Sequence, residues 1–143
     1  ASFFVGPRTT ALAADELLTG ISIPRPTART ACAYRRMVRS SVDIALVGVA
    51  CRLEVDGDGT VSTARVVLGA VAPTPLRSSG AEELLTGVPL ENIGGGLLDE
   101  IAAAAAGDAR PISDVRAGAA YRRRLTAVLA RRAVADTAGR LAA

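Results

Sequence analysis

The sequence contains no histidine, no lysine and no tryptophan, and all seventeen of its basic residues are arginine. Histidine is the side chain most often used for proton transfer near neutral pH, and it is also the commonest metal ligand. Its absence argues against a histidine general base and a histidine-containing metal centre. Only two Phe and two Tyr are present, so the core must be built from Ala, Val, Leu and Ile.

Cysteine is also scarce, and Cys32 and Cys51 have neither a metal-ligand spacing nor a disulfide framework. Each lies in an apolar stretch, which predicts two small buried thiols. No apolar run reaches the roughly 18 residues of a membrane span, and no secretory signal is visible. These absences favour a soluble protein in the reducing cytoplasm. The only methionine is Met37 and the chain opens ASFFVGP, so we expect a fragment or a processed chain.

Charge is unevenly distributed along the 143 residues. From residue 114 onwards there are seven Arg and two Asp, whereas the preceding 113 residues carry ten Arg and twelve acids. A basic C-terminal segment suits nucleic acid, a membrane surface or an acidic partner, and it is also typical of a solvated helix face. Because aromatic residues for base stacking are nearly absent, nucleic acid is the least favoured of these partners.

Strand signals come first along the chain. Residues 45–55 (ALVGVACRLEV) and 61–71 (VSTARVVLGAV) are rich in Val and Leu and are joined by Asp-Gly-Asp-Gly, which predicts a β-hairpin. Polar residues near the turn predict a wet tip and a base covered by helices. Residues 30–38 are expected to be extended, while DELL at 15–18 and ISI at 21–23 predict a helical turn and a short strand.

Three helices are predicted in the second half of the chain, at residues 81–86, 97–106 and 119–138. Gly87 ends the first, and Ser113 or Asp114 can cap the last. The apolar face of the last helix is expected to consist of Leu125, Val128, Leu129 and Ala135. Strands followed by helices favour an α+β fold, in which helices cover one side of an antiparallel sheet of three to four strands.

Few residues offer bond-making chemistry. No nucleophile–base pair and no metal cluster is visible in the sequence. Asp56 and Asp58 suit a tight turn better than catalysis, and the glycine triplet at residues 94–96 lacks the spacing of a phosphate-binding loop. The residues by themselves therefore predict a domain that supplies binding surface and scaffold.

One basic segment remains as a chemical feature, YRRMVRSSVDIALVGVA at residues 34–50. Arg35, Arg36 and Arg39 precede an apolar strand, and guanidinium groups suit carboxylate pairing, phosphate pairing and planar stacking. Asp43 lies where the basic half changes to the apolar half, and it can hold one arginine in a fixed orientation. Two interpretations stay open: an internal Arg–Asp pair that closes the sheet edge, or one or two arginines that face a cofactor or partner.

Four segments together resemble a known family: FFVGPRTTALAADELLTGISIP, YRRMVRSSVDIALVGVACRLEVDGDGTV, ARVVLGAVAPTPLRSSGAEELLTG and ARPISDVRAGAAYRRRLTAVLARRAV. They are similar to the C-terminal domain of the FAD-binding (medium) subunit of molybdenum hydroxylases, which include carbon monoxide dehydrogenase and xanthine dehydrogenase. The resemblance implies a junction from an N-terminal FAD-binding domain at residues 1–18 and a CO dehydrogenase flavoprotein C-terminal domain at residues 19–143. Pro7 and Ser40 depart from the family pattern.

This resemblance implies a component of a molybdenum-containing oxidoreductase. FAD would be bound mainly by the N-terminal domain, so the 143 residues alone are expected to hold little flavin and to be inactive. Expected partners are a molybdopterin-binding large subunit and an iron–sulfur small subunit, whose clusters pass electrons through FAD to an acceptor. The heterotrimer could form a dimer.

The resemblance also implies site residues. Family members often place a lysine near the flavin ring, and the matching position is Arg36, or Arg35 if the register slips by one. Tyr34 and Asp43 belong to the same segment and complete the candidate cofactor-binding set. A cation beside the ring would favour reduced flavin electrostatically.

A protein of another class stays open as an alternative. It is a freestanding interaction module of the same fold, which does not bind flavin and contacts an acidic protein through its basic helix. Gly-rich FAD-binding loops encoded upstream of Ala1 would discriminate the two functions. Substrate and electron acceptor are not specified by the sequence.

Overall fold

The computed structural model describes residues 3–26 and 29–143. The first two residues of the predicted junction lie outside the described residues. A small antiparallel sheet of β1 (Phe4–Gly6) and β2 (Thr9–Thr10) comes first, and residues 11–26 then form no helix or strand. The helical turn predicted at 15–18 and the strand predicted at 21–23 are therefore wrong. Their apolar side chains, such as Leu17 and Ile21, stay exposed, and short helices and strands need tertiary packing to form.

A four-stranded antiparallel sheet forms the centre of the fold, in the order β3-β4-β5-β6. The strands are β3 (Arg29–Met37), β4 (Val47–Val55), β5 (Val61–Gly69) and β6 (Leu76–Arg77). This confirms the predicted hairpin and the predicted extended segment before it.

The hairpin turn is built by one aspartate. Asp56 Oδ1 accepts hydrogen bonds from the backbone N–H groups of Asp58 (3.1 Å) and Thr60 (2.9 Å). Gly59 has φ +80°, a conformation that glycine adopts without a Cβ clash. Asp56 and Gly59 therefore serve the turn, as the sequence predicts for this acidic pair.

Three helices follow the strands: α1 (Ser79–Leu85), α2 (Gly95–Asp108) and α3 (Ala119–Ala142). Helix α3 packs against β3 and β4, α1 packs against β5, and α2 contacts both other helices. The predicted α+β fold with helices on one side of an antiparallel sheet is confirmed. No helix in the described part of the chain combines the length and apolar character needed to cross a membrane.

The core lies between the sheet and the helices. Alternate residues of β4, including Val47, Val49 and Leu53, are completely buried against them because successive strand residues point to opposite faces. The turn residues Asp56, Gly57 and Asp58 are exposed, as expected for a wet tip, but the expected gradient of burial from the tip to the base is wrong. Along the whole hairpin, one face is buried and the other is not. On the buried face, Val55 and Val61 beside the turn are as buried as Val47 at the base.

Helix α3 buries a longer stripe than predicted. Leu125 and Leu129 are buried as expected, but Val128 and Ala135 are exposed, so their predicted core positions are wrong. At 3.6 residues per turn the stripe drifts, and it continues through Ala133, Thr137 and Leu141.

The two cysteines occupy opposite faces of the sheet. Cys51 is buried under α3, and burial raises the pKa of its thiol to about 11. Cys32 is exposed, which corrects the prediction of two buried thiols. It pairs in register with Arg52, one residue along β4 from Cys51, and this places it on the face without helices.

Candidate functional site

Arg35 and Arg36 at the end of β3 point to opposite faces of the sheet. Arg35 is paired in register with the buried Val49, so it lies on the face covered by the helices. Arg36 is paired with Gly48 and lies on the other face, which we call the open face. Arg35 and Arg36 are adjacent in the sequence, but their side chains lie on different faces of the sheet.

Arg35 is bound to α3. Its Nε donates to Asp136 Oδ2 at 2.5 Å, and this hydrogen bond lowers the pKa of Asp136 and raises that of Arg35. At the other end of β3, Arg29 donates through NH2 to the carbonyl of Leu141 at 2.6 Å. Arg35 thus fastens the edge strand to the last helix, and its guanidinium is occupied by an internal acid.

Arg36 is exposed and has no ion pair or side-chain hydrogen bond with any residue in the described ranges 3–26 and 29–143. Guanidinium donors normally find a carboxylate, a carbonyl or an aromatic face when they lie at a binding site. Of the predicted site residues, Arg36 is the cation that is available to an external group.

Tyr34 lies beside Arg36 on the open face and covers Gly48. A Cβ built at Gly48 would be only 2.6 Å from Tyr34 Oη and 3.2 Å from two ring carbons. The ring therefore lies along the strand surface, where only a glycine leaves room for it. Its side remote from the sheet is open, since Tyr34 is 60% exposed. Together Tyr34 and Gly48 make a flat surface next to the free guanidinium.

Asp43 determines the shape of the β3–β4 loop, residues 38–46. Arg39 Nε donates to Asp43 Oδ2 at 2.8 Å, and Asp43 Oδ1 accepts the Ile44 backbone N–H at 2.9 Å. The hydrogen bond from Arg39 is the main influence that lowers the pKa of Asp43. The structure thus pairs Asp43 with Arg39, and brings neither of them to Arg36.

The same loop is anchored from the helical side by Arg122. Its side chain is only 6% exposed. NH1 donates to the carbonyl of Leu46 at 2.7 Å and NH2 donates to Asp114 Oδ1 at 2.8 Å, while Nε has no partner among the described residues. Arg122 therefore links α3, the β3–β4 loop and the segment before α3.

The N-cap of α3 is Gly118, so the prediction that Ser113 or Asp114 is the cap residue is wrong. Both side chains nevertheless bind backbone N–H groups at and before the start of the helix. Ser113 Oγ accepts the N–H of Ala119 at 2.9 Å, and Asp114 Oδ1 accepts the N–H of Arg116 at 2.9 Å. The latter bond is the largest influence on the carboxyl group of Asp114, whose pKa falls to about 2, and Arg122 contributes further.

The roles of two residues at this site could not be predicted from motif spacing. Gly48 was not singled out in the sequence, although an interior strand glycine is a known sign of close approach by another group. Arg122 was not singled out either, although its spacing of three and seven residues from Leu125 and Leu129 places it on the buried stripe.

A cleft of about 430 Å³ lies between the β3–β4 loop and the segment before α3. Ile44, Val71 and Pro111 are among the apolar residues that line it, and Arg116 and Arg122 are among the polar ones. Among the described residues there is no cluster of three or more His, Cys, Asp or Glu that could hold an ion.

Comparison with known proteins identifies relatives along most of the chain. The family model described as CO dehydrogenase flavoprotein C-terminal domain matches residues 32–137. The carbon monoxide dehydrogenase medium chain of Afipia carboxidovorans is 36% identical over 132 residues, which is 92% of this chain and 44% of that protein. The nicotine 6-hydroxylase medium subunit of Paenarthrobacter nicotinovorans is 34% identical over 138 residues, which is 96% of this chain and 46% of that protein.

Solved structures agree with these relatives. Carbon monoxide dehydrogenase from Hydrogenophaga pseudoflava aligns with a TM-score of 0.86 and 32% identity over 98% of this chain and 47% of that chain. Quinoline 2-oxidoreductase from Pseudomonas putida 86 aligns with a TM-score of 0.87 and 27% identity over the same shares, 98% and 47%. The chain thus spans less than half the length of the proteins it matches.

Proposed function

Because this chain belongs to the CO dehydrogenase flavoprotein C-terminal domain family, we propose that it is the C-terminal domain of the flavoprotein subunit of a molybdenum hydroxylase. Residues 1–18 are the junction to a domain that holds most of the FAD, and residues 19–143 close over the flavin. In the complete enzyme an iron–sulfur subunit supplies electrons and a molybdopterin-binding subunit oxidises the substrate.

The observation that carries this proposal at the level of residues is Arg36. It is a cation with no partner in the described residues, beside the flat surface of Tyr34 over Gly48. A planar ring with carbonyl oxygens at its edge fits such a surface, since guanidinium groups both stack and donate in a plane. Arg35, by contrast, is bound to Asp136 and is assigned a structural role.

When FAD is bound, it accepts electrons and passes them to an acceptor. The contribution of this chain is to bind, to orient and to place charge. Arg36 provides a positive charge that favours added electrons at a neighbouring ring. The Arg39–Asp43 pair and Arg122 hold the β3–β4 loop in one shape, so the position of Arg36 at the end of β3 is maintained.

The proposal is tested by Arg36→Ala in the complete, FAD-loaded subunit. Loss of a cation near the ring is expected to lower the two-electron flavin potential by about 20 mV, which corresponds to about 1 kcal/mol. Arg36→Lys should restore most of the potential because it keeps the charge. The measurement is a redox titration followed by flavin absorbance.

Arg124→Ala is the matched control, because Arg124 is also exposed but lies on α3. An unchanged potential in Arg36→Ala would remove Arg36 from the flavin site. FAD binding by the 143-residue chain alone should be weak. Tight binding there would contradict the assignment of FAD mainly to the N-terminal portion.

A further inference from the structure

The cleft between the β3–β4 loop and the segment before α3 has no role in the proposed function. Ile44 comes from the loop, residues 70–73 follow β5, and residues 110–116 precede α3. The backbone N–H of Arg110 donates to the carbonyl of Val71 at 2.8 Å and joins the last two of these walls. With a volume of about 430 Å³, the cleft lies in the range of small-molecule sites, roughly 300–1,000 Å³.

The walls of the cleft are mainly apolar. Ile44 and Ile112 belong to different walls, and they are 62% and 76% exposed. Pro73 and Pro111 add apolar surface with a restricted backbone. Small-molecule sites usually combine apolar walls of this kind with a few polar groups that orient the ligand. The lining therefore suits a ligand with an apolar body.

The charged residues of the cleft are mainly basic. Arg110, Arg116 and Arg122 line it together with one acid, Asp114. That acid is already occupied, because Arg122 NH2 donates to Asp114 Oδ1 at 2.8 Å and Arg116 Nε lies 3.5 Å from Asp114 Oδ2. The guanidinium of Arg110 has no ion pair or hydrogen bond with any residue that the structure describes. The cleft thus keeps a positive excess.

Arg122 strengthens this excess because it is buried in the cleft wall. A guanidinium carries five N–H groups, and those of Arg122 find two acceptors among the described residues, the Leu46 carbonyl and Asp114. Its Nε has none. Buried donors normally have a partner, and water and salt screen a buried charge much less than an exposed one. Arg122 therefore makes the adjoining cleft favourable for an anion.

We propose that this cleft binds a small organic carboxylate, whose apolar body lies against Ile44 and Ile112 and whose carboxylate binds Arg110 in the field of Arg122. Planar guanidinium donors match the two oxygens of a carboxylate. The inference goes beyond the proposed function, because the site needs neither the flavin nor another subunit.

A groove beside α1 also contains arginines, but it lacks this property. Arg65 and Arg77 line it together with Glu82 and Glu83. Arg77 Nε donates to Glu82 Oε1 at 3.0 Å, and Arg65 NH1 lies 3.8 Å from Glu82 Oε2. One acid of the groove compensates both cations and the other adds a negative charge. An external anion therefore finds no free positive charge there.

The proposal is tested by calorimetric titration of the complete FAD-loaded subunit with benzoate. Benzamide is the matched probe, since it has nearly the same shape but no charge. We expect saturable binding of benzoate in the millimolar range and binding of benzamide that is about tenfold weaker. Equal affinity for the two probes would overturn the proposal, and so would the absence of saturable benzoate binding by about 10 mM.

Two substitutions on the β3–β4 loop locate the site. Ile44→Glu places a carboxylate in the cleft, where it competes with the ligand for the arginines, and we expect benzoate affinity to fall about tenfold. Val42→Glu adds the same charge to the same loop, but Val42 is 93% exposed and does not line the cleft. This control should bind benzoate as the wild type does.

The cation is tested by Arg110→Ala, which should also weaken benzoate binding about tenfold through loss of a charged hydrogen bond. Arg124→Ala, at an exposed arginine of α3, is its control and should leave the affinity unchanged. Wild-type affinity in both Ile44→Glu and Arg110→Ala would mean that the anion binds elsewhere, and the inference would be wrong.

Hydrogen exchange locates the site without a substitution. Benzoate should slow amide exchange in peptides that cover residues 42–46 and 110–117, and it should leave α2 unchanged. Slower exchange only in other segments would contradict the proposal. All four variants should keep the FAD content of the wild type, because Tyr34 and Arg36 do not line the cleft. Failure of the carboxylate site therefore leaves the proposed function intact, whereas a complete subunit that binds no FAD would contradict that function itself.

Discussion

The two faces of the four-stranded sheet differ in what covers them and in how their arginines are used. On the helical face, Val49, Leu53 and Leu68 are completely buried, and Arg35 is bound to Asp136. On the open face, Tyr34 is 60% exposed and Arg36 has no partner in the described residues. Successive residues of one strand thus have different surroundings: Arg35 is bound within the fold, and Arg36 is exposed to solvent.

The two faces show that the role of each arginine depends on the face of the sheet on which its side chain lies. The basic segment at residues 34–39 contains three arginines, yet Arg35 and Arg39 are bound to Asp136 and Asp43. Of these three, Arg36 alone has no partner in the part of the chain that the structure describes. Charge in the sequence overstates the charge that is offered to a ligand, because part of it is neutralised inside the fold.

The largest expected effect comes from two adjacent residues of β5 that point to opposite faces. Leu68→Ala should lower the free energy of unfolding by about 3 kcal/mol, because a fully buried leucine leaves a cavity. Val67→Ala should lower it by less than about 1 kcal/mol, since Val67 is half-buried. Urea denaturation of the two variants measures the difference. Similar losses would mean that the open face is covered within this chain.

A second, pH-dependent effect is expected at Asp114, on the helical side. Its pKa is about 2 in the folded protein, below its ordinary value of 3.8, because of hydrogen bonds from Arg116 and Arg122. A carboxyl group with a lowered folded pKa stabilises the fold above its unfolded pKa, and this stabilisation disappears as the pH falls from about 4 to about 2.

Asp114→Asn should therefore be less stable than the wild type at pH 7, and the difference should shrink between about pH 4 and pH 2. Thermal melts across this range provide the measurement. Asp15→Asn, in the exposed segment without helix or strand, is the control and should follow the wild type. A difference independent of pH would contradict the role of the Asp114 carboxylate.

The smallest effect on stability is expected at Gly48 on the open face. Gly48→Ala places a Cβ 2.6 Å from Tyr34 Oη and must displace the ring. The free energy of unfolding should change by less than about 1 kcal/mol, because alanine suits a strand better than glycine and the ring can move outwards. NMR shifts of the Tyr34 ring should change clearly.

Gly69→Ala is the matched control for this change. Gly69 is paired with Gly48, but the nearest atom to a Cβ at this position is 3.8 Å away. The Tyr34 ring shifts should then stay close to those of the wild type. If both alanines leave the ring unchanged, Tyr34 does not lie over Gly48 in solution.

Much of the fold could be predicted from the sequence because the hairpin and helices are marked by local signals. The Asp-Gly turn, Gly87 and the Ala-rich stretch all lie at or near the elements they predict. The predictions failed where only tertiary packing decides. Leu17 and Ile21 look like core residues but are not covered by any part of the chain that the structure describes, and Val128 is rotated away from the sheet by the drift of the α-helical repeat.

The candidate site could be predicted as a segment but not as a geometry. Tyr34, Arg35, Arg36 and Asp43 are neighbours in sequence, yet the structure divides them among the open face, the helical face and the loop. The partner of Arg35 is Asp136, 101 residues away, and no local pattern indicates that pair. The alternation of β3 would have separated Arg35 from Arg36 once its register was known.

The link made by Arg122 has a consequence for the order of events during synthesis. Its guanidinium binds the carbonyl of Leu46, which is 76 residues earlier in the chain. At a translation rate of about 5 to 20 residues per second, Arg122 is synthesised several seconds after Leu46. The contact of Arg122 with the β3–β4 loop therefore cannot form until α3 has been synthesised, whereas the Arg39–Asp43 pair joins residues only four apart.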